Sequence, residues 1–252
     1  MSDVDPYDLP EPDWVFGYGS LIWNPGFAYQ EAVLARVHGY RRSFCIRSAR
    51  YRGTPEAPGV VLGLAQGGSC IGMAFRLDPA HRAAAVKSLY EREMPGQLYV
   101  PRMIDAHRLI DAHRMTDTRR LIDAHRTIDT HRTIDTQQTI DTHRMIEAPW
   151  PTKAAPVRAL TFVANTAHPA FGLLPETEVL RRLLICAGER GANLEYAQRT
   201  HDSLRAHGVR CTVLERLMQR LGQTLSSSSS RRPQAVAAPA SPSIPAMNRE
   251  AQ

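Results

Sequence analysis

Val15-Phe16-Gly17-Tyr18-Gly19-Ser20-Leu21 is the stretch on which the reading of the fold turns. An apolar, aromatic run suited to a β-strand breaks into a glycine-flanked Tyr-Gly-Ser corner, then resumes apolar at Leu21, Ile22 and Trp23. Glycine on both sides of Tyr18 opens backbone angles closed to other residues and lets a ligand approach the main chain. Residues 17–20 are then able to aim backbone N–H groups and the Ser20 hydroxyl at one point, a cradle for a small anionic group. A tight hairpin turn is the plainer alternative, and a lone Gly-Tyr-Gly-Ser does not decide between the two.

Some 75 residues later comes Glu93. Asp78-Pro79 is a sound helix start, with an acceptor at the cap and proline where its missing N–H does no harm. The helix should run from Pro79 to about Glu93 and stop before Pro95-Gly96. Its apolar stripe is Val86, Leu89 and Tyr90, and Glu93, seven residues after Val86, falls on the same inward face while Glu91 projects away. A carboxylate on an apolar face is unfavourable unless paired or used, and burial raises its pKa toward general acid/base range. The competing reading pairs Glu93 with Arg92, Arg102 or another arginine, or leaves it in solvent at the helix end.

Trp14 to Trp23 resembles the N-terminal block of the ChaC-like γ-glutamylcyclotransferases. Three further blocks agree, in family order: Tyr51-Arg52-Gly53-Thr54-Pro55-Glu56, Leu89-Tyr90-Glu91-Arg92-Glu93-Met94 and Asn193-Leu194-Glu195-Tyr196. The resemblance covers about residues 14–102 and 149–222.

With 252 residues, 43% of them hydrophobic, the chain can bury one full domain core. The acidic start Met-Ser-Asp-Val-Asp-Pro does not read as a signal peptide, and no run approaches the roughly 18 apolar residues of a membrane helix. Cys45, Cys70, Cys186 and Cys211 are widely spaced, with no C-x-x-C, and read as reduced core thiols of a cytoplasmic protein; nothing pairs any of them with a base. The net charge of +6 comes from scattered arginines without a basic helix or nucleic-acid motif. It suits attraction of an acidic small substrate better than a nucleic-acid or membrane partner. Nothing in the pattern sets an oligomeric state.

Apolar runs at Trp14–Tyr18, Val33–Val37, Arg42–Ile46, Val60–Ala65, Cys70–Leu77 and Val157–Ala164 predict strands, with Gln66-Gly67-Gly68-Ser69 as a hairpin turn. Helices are predicted at Glu176–Ala187, Leu194–His207 and Thr212–Leu221, the last two ending at Gly208 and Gly222. Strands first and helices mostly later make an α+β domain over residues 13–223, with an antiparallel or mixed sheet curled into a small barrel. The resemblance implies the same barrel, its cavity holding a γ-glutamyl group. Residues 1–12 and 224–252 are expected to be loose, the latter a serine-, alanine- and proline-rich tail.

The chain departs from the family between Met103 and Trp150, where a hexad beginning Met103-Ile104-Asp105-Ala106-His107-Arg108 runs through eight units. Without residues 103–144 the chain reads Tyr99-Val100-Pro101-Arg102-Met145-Ile146, a continuous strand, so the repeats are an insertion within one strand-to-strand connection. A period of six never builds one helical face, but it is even and so suits a strand. With no turn chemistry between units, a mobile or weakly ordered insertion is expected. A β-ribbon arm or partner-binding element, and a helix held by Asp–Arg pairs, are the alternatives. Five of the ten histidines lie here beside aspartates, yet nothing fixes them in a metal-binding geometry. Seven Arg against eight Asp and Glu in residues 103–150 give a net charge of −1, which is no polybasic arm.

The resemblance implies a γ-glutamyl substrate, foremost glutathione, whose free α-amino group attacks its own γ-carbonyl to give 5-oxoproline and cysteinylglycine, with no metal or cofactor. It implies Glu93 as the group that moves both protons. Tyr18, Gly19, Ser20 and Leu21 would hold the glutamyl α-carboxylate and position the carbonyl. Arg52 is a candidate carboxylate clamp and Tyr196 a candidate pocket wall, though a structural role fits each equally. A cyclotransferase for other γ-glutamyl amines or dipeptides is one alternative. A non-catalytic γ-glutamyl-binding scaffold is another, should the insertion displace the neighbouring strand.

Overall fold

A computed structural model describes residues 11–109 and 155–229. Its sheet is a closed barrel of five strands: β1 (Trp14–Gly17), β2 (Tyr29–Ser48), β3 (Gly59–Leu77), β4 (Tyr99–Arg108) and β5 (Val157–Ala164), in the order β1-β3-β2-β4-β5. The short apolar β1 closes it, antiparallel to β3 from Trp14↔Arg76 to Gly17↔Met73 and parallel to β5 at Trp14↔Ala159 and Val15↔Leu160. All four of its residues are buried, which explains an apolar run without alternation. Phe16 faces the main core with Leu62 and Phe75, and Val15 faces a second cluster with Leu160 and the helix residues Val86 and Leu89. The expected α+β barrel with flanking helices is therefore the observed architecture.

The strands are longer than the sequence pattern implies. Val33–Val37 and Arg42–Ile46 are parts of the single strand β2, and Val60–Ala65 and Cys70–Leu77 are parts of β3. Gln66-Gly67-Gly68-Ser69 is therefore not a hairpin turn. His38 pairs with Ser69 and Tyr40 with Gln66, so Gly67 and Gly68, at φ of 90° and 77°, lie opposite Gly39 at 82°. Glycines on both strands let the pair bend together as a bulge instead of either strand turning back. The reversal between β2 and β3 comes at residues 49–58, in the Tyr51–Glu56 block.

The boundary expected at Met103 falls inside β4. The first hexad unit completes that strand, pairing Ala106 with Val37 of β2 and with Val157 of β5. Its even period does what a strand requires: Ile104 and Ala106 pack on the main core, while Asp105 points outward to Arg158 at 3.1 Å. Leu109 follows, buried, its N–H donating to the Leu34 carbonyl at 2.8 Å. Residues 110–154, which hold the rest of the repeat tract, residues 1–10 and residues 230–252 lie outside the described residues, and the expectations of mobility there with them.

After a 3-10 turn at Pro79–His81, helix α1 spans Arg82–Glu93. Helix α2 (Glu176–Ile185) is shorter than predicted, because Ala187 leaves it for a two-residue hairpin of β6 (Ala187–Gly188) and β7 (Gly191–Ala192). Helix α3 (Asn193–Ala206) ends at Gly208 as expected: φ is 70° there, and the Val209 N–H reaches the Leu204 carbonyl at 2.9 Å. Helix α4 (Thr212–Ser229) runs through Gly222, which is no cap, so the expected tail boundary at residue 224 falls within helix. The Thr224 and Ser226 hydroxyls donate to the Arg220 and Gly222 carbonyls, an arrangement that keeps polar side chains inside the helix. Among the described residues no helix is long and apolar enough to cross a membrane.

Ala106 has no exposed surface and two paired neighbours, so the first repeat unit is part of the core. Ala106→Asp is expected to destabilise the protein by about 3 kcal/mol or more through an unpaired buried carboxylate. Asp105→Asn, in an exposed pair, should change stability by less than about 1 kcal/mol. Thermal unfolding of the two variants distinguishes them.

Candidate active site

The inward placement of Glu93 follows from α1. Val86 and Leu89 are buried against β1 and β5, and one further turn brings Glu93 round to the same side, its side chain 17% exposed, while Glu91 faces solvent. The ion pair is present as well: Arg92 Nε lies 3.0 Å from Glu93 Oε1. Arg92 does more than neutralise. Its Nη2 donates to Ser20 Oγ at 2.8 Å, and its Nη1 to the Asn24 and Pro25 carbonyls at 2.7 and 3.2 Å. One guanidinium thus ties the acid to the Tyr-Gly-Ser turn, 72 residues earlier in the chain. Burial pushes the Glu93 carboxyl above its ordinary range, and Arg92 and then Arg190 pull it partway back.

The turn itself is shaped by close approach. Neither Gly17 nor Gly19 is left-handed, but Gly19, at φ −126° and ψ −127°, lies outside both the strand and the helical regions, as expected of a glycine at this corner. A Cβ on Gly17 would come within 2.8 Å of the Leu21 Cβ, and one on Gly19 within 3.1 Å of the Tyr196 hydroxyl. Ser20–Ile22 then forms a 3-10 turn, closed by Ile22 and Trp23 N–H donating to the Gly19 and Ser20 carbonyls. From below, buried Arg42 donates through Nε to the Tyr18 carbonyl at 2.7 Å.

Tyr18, Gly19, Ser20 and Leu21 line a small inner chamber with Glu93, Tyr99 and Tyr196. Ser20, Glu93, Tyr99 and Tyr196 also line the larger cleft outside it, of about 280 Å³, together with Arg52. All the residues singled out in the sequence therefore meet at one place. Three phenols, Tyr18 and Tyr196 buried and Tyr99 half-buried, surround the acid. Tyr18 donates to the Phe162 carbonyl at 2.7 Å and Tyr99 to the Leu62 carbonyl at 3.0 Å, while Tyr196 accepts from the Leu62 N–H at 3.2 Å and keeps its own proton to donate. Burial holds all three well above the usual tyrosine range, and the charge of Glu93 adds to that, so they remain neutral donors. Arg52 is buried, donates through Nη1 to the Ala192 carbonyl at 3.0 Å and lies 3.5 Å from Glu195.

Sequence reasoning did not single out Tyr99, Trp23, Tyr51, Arg190 or Arg199 as cleft residues. Arg199, three residues after Tyr196 on α3, carried a usable signal in that spacing. The others reach the cleft through strand pairing or the β6–β7 hairpin, which local periodicity does not report. β4 stays paired on both edges, so the insertion does not displace the strand that carries Tyr99.

The fold is that of the γ-glutamylcyclotransferases. It superposes on the crystal structure of a selenomethionine-labelled γ-glutamyl cyclotransferase specific to glutathione from yeast with a TM-score of 0.63 and 20% identity, over 85% of this chain and 97% of that one. The family model described as ChaC-like protein matches residues 13–224, and the chain belongs to that family. The glutathione-specific gamma-glutamylcyclotransferase of Escherichia coli (strain K12) is 40% identical over 90 residues, 36% of this chain and 39% of that protein. Glutathione-specific gamma-glutamylcyclotransferase 1 of Rattus norvegicus is 28% identical over 221 residues, 86% of this chain and 81% of that protein.

A carboxyl whose folded pKa is raised stabilises the fold fully below its unfolded pKa, and that contribution is lost as pH rises through the folded value. Wild-type protein should therefore lose stability relative to Glu93→Gln as pH rises from about 4.5 toward neutrality. Melting temperatures measured across that range check it. At neutral pH the variant is expected to be at least as stable as wild type, because a neutral amide replaces a shielded charge.

Proposed function

We propose that this protein is a cyclotransferase that cleaves glutathione to 5-oxoproline and cysteinylglycine. The α-amino nitrogen forms a bond to the γ-carbonyl carbon, the amide bond to cysteine breaks, and the two protons lost by the substrate ammonium end on the departing nitrogen. Atoms and charge balance without water, metal or cofactor. The observation that carries the reading is Glu93 itself: a shielded carboxylate, linked through Arg92 to the Ser20 hydroxyl, at the wall between a small chamber and an arginine-lined cleft.

In this reading ionised Glu93 takes the two protons that the substrate ammonium gives up, one before attack and one as the lactam forms, and passes each in turn to the leaving nitrogen. Tyr18, Gly19, Ser20 and Leu21 hold the bent glutamyl arm, and the Tyr196 hydroxyl donates toward the charge that grows on the carbonyl oxygen. Arg52 contributes positive potential toward the substrate carboxylates, while its position is fixed by Ala192. Burial of the charged groups within one cleft strengthens each of these interactions. Unpaired cysteines, three of them buried, support a cytoplasmic setting. With the cleft's positive charge turned to a small acidic substrate, neither nucleic acid nor membrane is required as a partner.

Glu93→Gln should remain folded and bind glutathione, with 5-oxoproline release reduced by roughly 10²–10⁴-fold. Turnover close to wild type would overturn the assignment of the base. For the wild type, kcat/KM should rise with pH as Glu93 ionises, at a pH above the ordinary carboxylate range. Arg92→Gln, which removes the nearest positive charge, should move that rise to still higher pH, as a pH–rate profile of 5-oxoproline formation will report.

A further inference from the structure

We propose that Arg190 and Arg199 clamp the carboxylate at the far end of the leaving group, so that the cleft selects γ-glutamyl peptides with a free C-terminus over γ-glutamyl amines. The proposal rests on the cyclotransferase reading above and names the substrate class it serves. Four arginines line the cleft, and their donors are committed unequally. Arg92 uses Nε, Nη1 and Nη2 on protein acceptors, and buried Arg52 is held by Ala192 and Glu195. Arg190 and Arg199 are exposed at the rim. Arg190 pairs with no carboxylate among the described residues, and Arg199 has only a long 3.4 Å contact from Nη1 to Glu195.

Each of these two guanidinium groups instead lies on an aromatic ring. The Arg190 Cζ is 3.9 Å from the centroid of Tyr51, and the Arg199 Cζ is 4.3 Å from that of Trp23. Stacking occupies the face of a guanidinium and leaves its edge, a planar fork of N–H donors, free to receive a carboxylate with two parallel hydrogen bonds. It also fixes the fork before a ligand arrives, so less freedom is lost on binding.

The platforms are themselves anchored. The Arg190 backbone N–H donates to the Tyr51 carbonyl at 3.0 Å, and Trp23 Nε1 donates to Thr200 Oγ1 at 3.1 Å. Both arginines line the outer cleft and neither lines the inner chamber of Tyr18, Gly19 and Leu21. A substrate with its glutamyl end at Glu93 therefore extends its leaving group toward them. With its one C-terminal carboxylate set between two anchored forks, a dipeptide leaving group is complementary where a neutral amine is not.

The test compares wild type with the Arg190→Gln/Arg199→Gln double variant. Each is assayed for 5-oxoproline from glutathione and from glutathione amidated at its glycine carboxyl. Amidation should raise the wild-type KM about tenfold or more, with a much smaller change in kcat. In the double variant the KM for glutathione itself should rise by a similar factor, and amidation should then add less than about twofold. Melting temperatures confirm the fold, and the two single variants separate the arginines. Equal wild-type KM for both compounds, or discrimination surviving in the double variant, overturns the clamp. If wild type releases 5-oxoproline from neither compound, the cyclotransferase reading fails, and calorimetric titration still decides the clamp. Tenfold tighter binding of the free acid, lost in the double variant, sustains it; equal binding of the two compounds overturns it.

Discussion

The parallel pairing of β1 with β5 is the constraint on which the rest of the molecule depends. β1 has four residues and is held on its other edge by β3, so the barrel closes through a very short strand. Side chains reinforce the seam: the Thr161 hydroxyl donates to the Phe16 carbonyl at 2.9 Å, and Tyr18 donates to Phe162. Closure brings Val15, Leu160 and Phe162 into one apolar surface, on which α1 packs through Val86 and Leu89. That packing sets the rotation of α1, and the rotation turns Glu93 toward the Tyr-Gly-Ser corner that leaves the end of β1. Glu93 and the Tyr-Gly-Ser corner are thus placed by the same seam, and the Arg92 guanidinium joins them.

The electrostatics of the site follow from how its charges are shielded. Arg42, buried beneath the turn, pairs with no carboxylate among the described residues and donates instead to the Tyr18 and Ile71 carbonyls and to Cys211. Carbonyl acceptors satisfy the guanidinium without cancelling its charge, so its positive potential persists beneath the chamber. With Arg52, Arg92, Arg190 and Arg199 around the cleft, the field favours an anionic ligand. Burial raises the pKa of Glu93, and Arg92 and Arg190 offset part of that rise. The three neutral tyrosines add donors without adding charge.

What could be read from the sequence was what local spacing encodes. The Tyr-Gly-Ser corner is contiguous, and the inward face of Glu93 follows from the seven residues that separate it from Val86. Arg92 was legible only as one competing partner of Glu93, because its contacts with Ser20, Asn24 and Pro25 span some 70 residues. Pairing and burial turn out to coexist in one carboxylate. The glycines at 67 and 68 misled for a physical reason: a positive φ suits a bulge as well as a turn, and Gly39 on the facing strand decides between them. Arg190 was invisible because a hairpin of two-residue strands has no periodicity to detect. The continuation of α4 through Gly222 reflects how mildly an isolated glycine penalises a helix, about 1 kcal/mol against alanine.

The first repeat unit, as the last six residues of β4, makes the barrel indifferent to copy number. Leu109-Ile110-Asp111-Ala112-His113-Arg114 repeats Met103–Arg108 but for leucine in place of methionine. Loss of one whole unit by slippage in the gene would deliver the second unit to the same register, with the same alanine between Val37 and Val157 and the same aspartate facing Arg158. Gain of a unit would likewise leave the sequence of the strand unaltered. A change of any length not divisible by six would present different side chains to the core. A tract that enters the barrel on its own period therefore lets its length drift in whole units while the strand is preserved.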